Sequence, residues 1–170
     1  MRPRLSQLAP HPDGSLKDIS RHGLDQCPYL AVVSFEGPLN FTSTSYLEDT
    51  ILSRVAALPK LRHLLVAGHG ISEVDASGEE SLRHLVERLR AAGYQVSFSG
   101  LKDEVLDVLR RAHLYDVIGE DHLFATPVQA ITALFPSAHA GGEDPGCPFR
   151  AFMLQISELS LHPDGSLRDA

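Results

Sequence analysis

Apolar residues in the middle of the chain recur with two alternating periods. Short apolar runs predict buried strands, because a strand covered on both faces is apolar along its length, at 29–35, 63–67 and 94–98. Apolar positions three or four residues apart predict amphipathic helices at 45–58, 79–92 and 102–112. Leu123-Phe124 indicates a short fourth strand, and Thr126-Pro127 opens a last helix to about Leu134. This alternation predicts an α/β domain with a mostly parallel sheet.

The two ends of the chain depart from that alternation. Asp13-Gly14 is a strong turn signal, so the surrounding residues are predicted to form a hairpin on the sheet edge. A rough alternation of Phe152, Leu154 and Ile156 predicts a strand near the C-terminus. We therefore divide the chain into a hairpin and lead-in at 1–28, a core at 29–135, a Pro/Gly-rich linker at 136–148 and a strand-like segment at 149–170.

A sequence near the start of the chain returns at its end. Residues 6–18 and 157–169 align without a gap, with nine identities in thirteen positions, and both contain HPDGSL. His-Pro-Asp-Gly is turn chemistry and offers no catalytic set, so we interpret the repeat as scaffold. The second copy resembles the opening of a duplicated unit that stops short. Such an orphan strand is a candidate for pairing with its own sheet edge or with a second copy of the protein.

Composition and charge indicate which kinds of partner this chain is not expected to bind. The net charge is −7 and no Lys/Arg block is longer than a pair, which argues against binding to nucleic acid. No run approaches about 18 apolar residues, so we expect no direct membrane insertion. Cys27 and Cys147 lie outside any CxxC, and the nine histidines show no HxxxH spacing. We therefore expect two free thiols and no metal site.

The stretch from Val74 to Glu80 joins the second predicted strand to its helix, at an edge of the sheet where ligand sites gather. In one interpretation, the polar residues of this stretch cap the helix. The cap would be either a Ser77-x-x-Glu80 capping box or Asp75, one turn earlier. A second interpretation makes Ser77 a phosphoacceptor at a helix N-terminus. A third, a hydrolytic triad of Ser77, Asp75 and His69, lacks a GxSxG around the serine.

Several short motifs, in this order and spacing, resemble the STAS domain family. That family comprises anti-sigma-factor antagonists and the cytoplasmic tails of SulP-type sulfate and anion permeases. The D-x-S-G element at Asp75–Gly78 is similar to its signature. The other similar segments, which extend the resemblance over about 29–134, are Glu36–Phe41, Ser99–Leu101, His113–Gly119 and Phe124–Ile131. The chain departs from the family pattern at Asn40, where antagonists usually have Asp, and at His113, where Gly is common.

The resemblance implies a STAS-like single domain, with a mostly parallel central sheet, an N-terminal edge hairpin and about four helices. It implies a non-catalytic regulatory domain of a SulP-type transporter, at the inner face of the cytoplasmic membrane. The partner would be the transmembrane domain of its own permease or a regulatory protein, with no cofactor beyond weak nucleotide or anion binding. The alternative is a free anti-sigma-factor antagonist that switches partners when Ser77 is phosphorylated. Either function would use the loop residues Asn40, Phe41, Thr42, Asp75, Ala76, Ser77 and Gly78.

Overall fold

The fold is built on one six-stranded sheet. A computed structural model describes residues 3–142 and 146–159. The strands lie in the order β2-β1-β3-β4-β5-β6; β1 runs antiparallel to both of its neighbours, and the pairs from β3 to β6 are parallel. The strands are β1 (Arg4–Pro10), β2 (Leu16–Asp18), β3 (Leu30–Leu39), β4 (His63–Val74), β5 (Gln95–Ser99) and β6 (Leu123–Phe124). The predicted α/β class, the mostly parallel sheet and the edge hairpin are confirmed.

Helices cover both faces of the sheet. They are α1 (Ile19–His22), α2 (Thr44–Ala56), α3 (Ala76–Ala91), α4 (Asp103–Arg111), α5 (Leu114–Ile118), α6 (Pro127–Ala138) and α7 (Pro148–Leu159), with a 3-10 turn at Glu120–His122. Buried residues of α2 to α5 pack on one face, and those of α6 and α7 pack on the other. Successive residues of β3 point to opposite faces, so Val32 joins one core and Val33 the other. Coverage on both faces is why the central strands are apolar throughout.

The first HPDGSL copy forms the loop of the predicted hairpin. The Gly14 amide donates to the His11 carbonyl oxygen at 2.9 Å, and the Ser15 amide donates to the Asp13 carboxylate at 3.0 Å. Gly14 has a φ of 92°, which a residue with a β-carbon rarely adopts. The first copy therefore serves as turn chemistry. The second copy, at 162–167, lies outside the described residues.

Strands β3 and β4 are longer than the sequence predicts. The predicted ends near Gly37 and Gly68 are wrong, because pairing continues through register shifts to Leu39 opposite Val74. Gly70 makes this continuation feasible, since a β-carbon there would lie 2.8 Å from the Phe35 carbonyl oxygen. Gly70 therefore lets the two long strands run close together instead of ending β4.

The strand predicted at 149–170 is wrong where the structure describes it, because Pro148–Leu159 forms α7. The apolar residues of this segment follow the period of a helix, not the two-residue period of a strand. The buried or half-buried apolar side chains are Phe149, Phe152, Met153 and Ile156, at helical spacing, whereas Leu154 is 64% exposed. These side chains complete the core on the α6 face, which decides the conformation. The helix also takes in 157–159, although the matching residues 6–8 lie in β1.

The predicted linker begins too early. Helix α6 continues through Pro136 to Ala138, four residues beyond the predicted end at Leu134. Proline removes one backbone donor, and the loss is tolerable here because the last turn still buries Ala138 and holds Phe135 stacked on His139. The short helices α1 and α5 also raise the number of helices above the four predicted.

Candidate functional site

The two loops singled out in the sequence lie side by side at the carboxyl ends of β3 and β4. Leu39 and Val74 are the last paired residues of these parallel strands. Beyond them, the Asp75 amide donates to the Leu39 carbonyl oxygen at 3.1 Å. The structure therefore brings the 40–42 loop and the start of α3 into one site, as the topology of a parallel sheet requires.

Asn40 organises the first loop with its side chain. Its Oδ1 accepts hydrogen bonds from the amides of Thr42 at 2.9 Å and Ser43 at 3.2 Å, and from the Thr42 hydroxyl at 2.7 Å. The Ser43 hydroxyl donates back to the Pro38 carbonyl at 2.6 Å. This Asx-turn fixes the backbone on both sides of Phe41, whose side chain is 82% exposed. An apolar ring is thus presented to solvent on a well-bonded loop.

Asp75 caps α3, which begins three residues earlier than predicted. Its carboxylate accepts from the Gly78 amide at 2.8 Å. Ser77 therefore lies inside the first turn, and the proposed Ser77-x-x-Glu80 capping box is wrong. The Asp75 alternative holds, because an N-cap carboxylate satisfies a first-turn amide and suits the positive end of the helix dipole.

Gly78 allows the helix to start against the strand. A β-carbon at this position would lie 2.2 Å from the Leu39 carbonyl oxygen, which is far inside van der Waals contact. The D-x-S-G sequence therefore has a clear structural role in its first and last residues. Asp75 caps the helix, and Gly78 provides the close approach between helix and strand.

Capping leaves the Ser77 hydroxyl unused. Ser77 is half-buried, Ala76 beside it is exposed, and no hydrogen bond of the Ser77 side chain to any described residue is present. The surrounding charge is acidic, although Glu79 is paired with Arg83. A phosphate on Ser77 would be favoured by the helix dipole and opposed by these carboxylates.

The suggested triad does not assemble in the described part of the chain. The Asp75 carboxylate is engaged with Gly78, and no hydrogen bond joins His69 to Ser77. His69 instead lies beside the end of β5. A β-carbon on Gly100 would be 3.3 Å from the β-carbon of His69. Nucleophilic catalysis needs a base within hydrogen-bond reach of the hydroxyl, and no residue that the structure describes is hydrogen-bonded to the Ser77 hydroxyl.

A second group of chemically capable residues escaped the sequence analysis. Cys27, His139 and Cys147 are all buried, and their donor atoms lie within 4.8 Å of one another. Local motif spacing could not reveal them, because His139 is 112 residues from Cys27 and is joined to it only by the fold. Cys27 and Cys147 are free thiols, as expected. Sequence spacing alone cannot decide whether they form a metal site with His139, because the three residues meet only in the fold.

The family assignment can now be made. A family model for the STAS domain matches residues 20–130, which is more than half of the 170 residues. The chain belongs to the STAS domain family. High affinity sulfate transporter 2 of Stylosanthes hamata is 24% identical over 150 residues, covering 82% of this chain and 23% of that protein. The chain thus spans less than a quarter of the length of such relatives.

Solved structures show the same fold. The murine Slc26a9 anion transporter in its inward-facing state gives a TM-score of 0.71 at 18% identity, covering 82% of this chain and 22% of that one. The SulP transporter STAS domain of Vibrio cholerae gives 0.55 at 19% identity, covering 72% and 94%. The anti-sigma factor antagonist SpoIIAA, in its unphosphorylated form, gives 0.53 at 15% identity, covering 66% and 93%. Among the described residues, no helix is both long and apolar enough to cross a membrane.

Proposed function

We propose that this chain is the non-catalytic regulatory STAS domain of a SulP-type sulfate or anion transporter, and that it acts through protein contacts at the 40–42 and 75–78 loops. The observation that carries the proposal is the 82% exposure of Phe41 on a loop fixed by Asn40, next to the start of α3. An exposed aromatic ring held at low conformational entropy is the type of side chain that anchors protein interfaces.

The relatives support the choice of transporter. Three similar curated proteins carry sulfate transporter names, and their alignments cover about four-fifths of this chain. The proposed partner is the transmembrane domain of its own permease or a regulatory protein, which places the domain at the inner face of the cytoplasmic membrane. At these loops we propose no cofactor, and at most weak binding of a nucleotide or anion.

The second candidate function is that of a free anti-sigma-factor antagonist. The observation that favours it is the Ser77 hydroxyl, which lies in the first turn of α3 and is not used by the cap. Phosphorylation there would add up to about two negative charges in the first turn of α3 without removing a hydrogen bond of the fold. Such a modification would change the partner surface more than the stability of the domain.

Binding to the solubilised transmembrane domain of a SulP-type transporter from the same organism tests the first proposal. We expect Phe41→Ala to weaken binding by about tenfold or more, as for an interface anchor. Leu154→Ala is the matched control, because Leu154 is a 64% exposed apolar residue on α7, away from these loops. Equal affinities of the wild type and the Phe41 variant would contradict the proposed face.

Incubation with ATP and the anti-sigma kinases of the same organism separates the two candidates. A phosphate transferred to Ser77, and absent from Ser77→Ala, would favour the antagonist. For Ser77→Asp we expect an unchanged circular dichroism spectrum and melting temperature but altered partner binding. Gross unfolding of that variant would show that Ser77 is structural.

A further inference from the structure

Three residues from distant parts of the sequence converge on the α6 and α7 face of the sheet. Cys27 precedes β3, His139 follows α6, and Cys147 stands immediately before α7. The His139 Nε2 lies 3.4 Å from the Cys27 sulfur and 3.1 Å from the Cys147 sulfur. All three side chains are buried in the same core. Two sulfurs and an imidazole nitrogen in this arrangement are the donor set of a thiophilic metal site.

His139 is oriented toward the two sulfurs by a contact on its far side. Its Nδ1 lies 2.9 Å from the Phe135 carbonyl oxygen, which can only accept a hydrogen bond. The proton of the neutral imidazole is therefore on Nδ1, and the lone pair of Nε2 faces the sulfurs. The ring also stacks on Phe135 at 4.1 Å and meets the Tyr29 ring edge-on at 5.4 Å. A carbonyl that fixes the tautomer in this way is the usual second partner of a metal-binding histidine.

The two sulfurs also lie close to each other, since all three donor atoms are within 4.8 Å of one another. The hydrogen bond from the Cys27 thiol, assisted by His139, lowers the pKa of Cys147 to about 6. The same bond, together with burial, raises the pKa of Cys27 above its usual range. Of the two thiols, that of Cys147 is therefore the more easily deprotonated.

We propose that Cys27, His139 and Cys147 bind a single Zn²⁺ ion, with both cysteines bound as thiolates. Ideal Zn–S and Zn–N bonds place the donor atoms about 3.6 Å apart in tetrahedral geometry, so the present 3.4 and 3.1 Å need adjustments of only a few tenths of an ångström. Two thiolates and Zn²⁺ have no net charge, which suits a buried site. The fourth coordination position is left to a water molecule.

The bound ion would attach α7 to the domain. Cys147 leads directly into α7, and the other two ligands belong to the β3 lead-in and the end of α6. Helix α7 packs on β1 and α6 and lies beyond the residues 20–130 matched by the family model. The ion would therefore join an additional helix to the STAS core, so that metal supply controls whether that helix stays docked.

Metal titration of the whole 170-residue chain, purified under reducing conditions and freed of metal, tests the proposal. We expect one Zn²⁺ per chain, and Co²⁺ in its place should give thiolate-to-cobalt charge-transfer absorption. Cys27→Ser, Cys147→Ser and His139→Gln should each weaken Zn²⁺ binding by more than about 100-fold, since even the loss of an orienting partner costs 10- to 100-fold. His84→Gln is the control, because His84 is an exposed histidine on α3 and should leave the affinity unchanged.

Thermal unfolding of the wild type keeps the proposal falsifiable if a variant fails to fold. We expect Zn²⁺ to raise the melting temperature of the metal-free reduced chain, and a chelator to reverse the rise. The proposal is overturned if the folded, reduced wild type binds no Zn²⁺, or if folded variants at all three positions bind it as tightly as the wild type. A chain that takes up no Zn²⁺ but readily loses two hydrogens to form a Cys27–Cys147 disulfide would show a redox pair instead.

Discussion

Gly78 lies directly against the carbonyl group of Leu39, and a β-carbon on Gly78 would stand 2.2 Å from that oxygen. This approach, together with the Asp75 amide bond to the same carbonyl, sets the start of α3 against the end of β3. These two contacts hold the first turn of α3 against the residue that leads into the 40–42 loop. The helix cap and the loop that carries Phe41 are therefore neighbours.

Gly78→Ala should therefore disturb the site through the backbone. We expect it to lower the free energy of unfolding by about 2 kcal/mol, because overpacking against backbone outweighs the better helix propensity of alanine. Urea denaturation followed by circular dichroism measures this change. Gly93→Ala provides a comparison. A β-carbon at Gly93 meets open space, but the φ of 96° is unfavourable for alanine, so this variant should lower the free energy of unfolding by only about 1 kcal/mol. A Gly78 variant as stable as the wild type would contradict the close contact.

His113 carries a removable backbone strain. It is the non-glycine residue with positive φ among those described, at 61°, and its side chain is exposed. His113→Gly should raise the free energy of unfolding by about 1 kcal/mol, because glycine adopts this conformation without a β-carbon clash. His84→Gly, in the exposed interior of α3, should lower it by about the same amount. Destabilisation by both substitutions would show that His113 makes a contribution other than strain.

Arg90 joins three backbone segments. Its guanidinium donates to the carbonyl oxygens of Val96, at 3.2 Å, and of Val117 and Ile118 at the end of α5. Arg90→Lys should lower the free energy of unfolding, measured by urea denaturation, by about 2 kcal/mol, because one ammonium group cannot reach all three carbonyls. The control is Arg88→Lys, whose exposed pair with Glu48 should be worth less than about 1 kcal/mol. Similar losses for the two variants would argue against a specific role of the guanidinium.

His63 should make stability depend on pH. Burial, which is the main cause, lowers its pKa below the ordinary value of 6.5, and its Nδ1 has no hydrogen-bond partner among the described residues. The unfolded chain therefore binds a proton before the folded chain does as the pH falls. The contribution of neutral His63 is complete above about pH 6.5 and is lost progressively below it.

Unfolding free energies at about pH 7.5 and 5.5 measure this contribution. Between these values His63→Gln should lose less stability than the wild type, because glutamine keeps a polar atom near Ser137 but takes up no proton. Some pH dependence should remain from His122, whose pKa burial also lowers. Equal losses for the two proteins would mean that His63 does not titrate in this range.

The order of strands and helices was predictable because it depends on local periodicity, but several boundaries depend on the tertiary structure. The sequence predicts strand ends at Gly68 and Gly70, whereas Gly70 allows β4 to pass close to β3 and Gly68 leaves room for the Leu101 side chain. The start of α3 was misplaced because both Asp75 and Ser77 can cap a helix, and only the contact of Gly78 with Leu39 decides between them.

The C-terminal segment shows where periodicity is ambiguous. Phe152, Leu154 and Ile156 alternate as in a strand, but Phe152, Met153 and Ile156 fit a helix equally well. The helix is formed because the second set packs on the core beside α6. Local sequence patterns could not predict the cluster of Cys27, His139 and Cys147. These residues are far apart in the sequence, and the packing of α6 and α7 brings them together. The four-part division of the chain remains a prediction, apart from the start of the linker and the strand at 149–170, which the structure corrects.

Hydrogen exchange on the complex with the solubilised transmembrane domain tests the central claim most directly. Binding through the proposed face should slow the exchange of backbone amides at 40–43 and 75–79, and should leave those of α7 unchanged. The same footprint should be lost in Phe41→Ala at equal protein concentration. Protection confined to α6 and α7, with the two loops exchanging as in the free domain, would contradict the account.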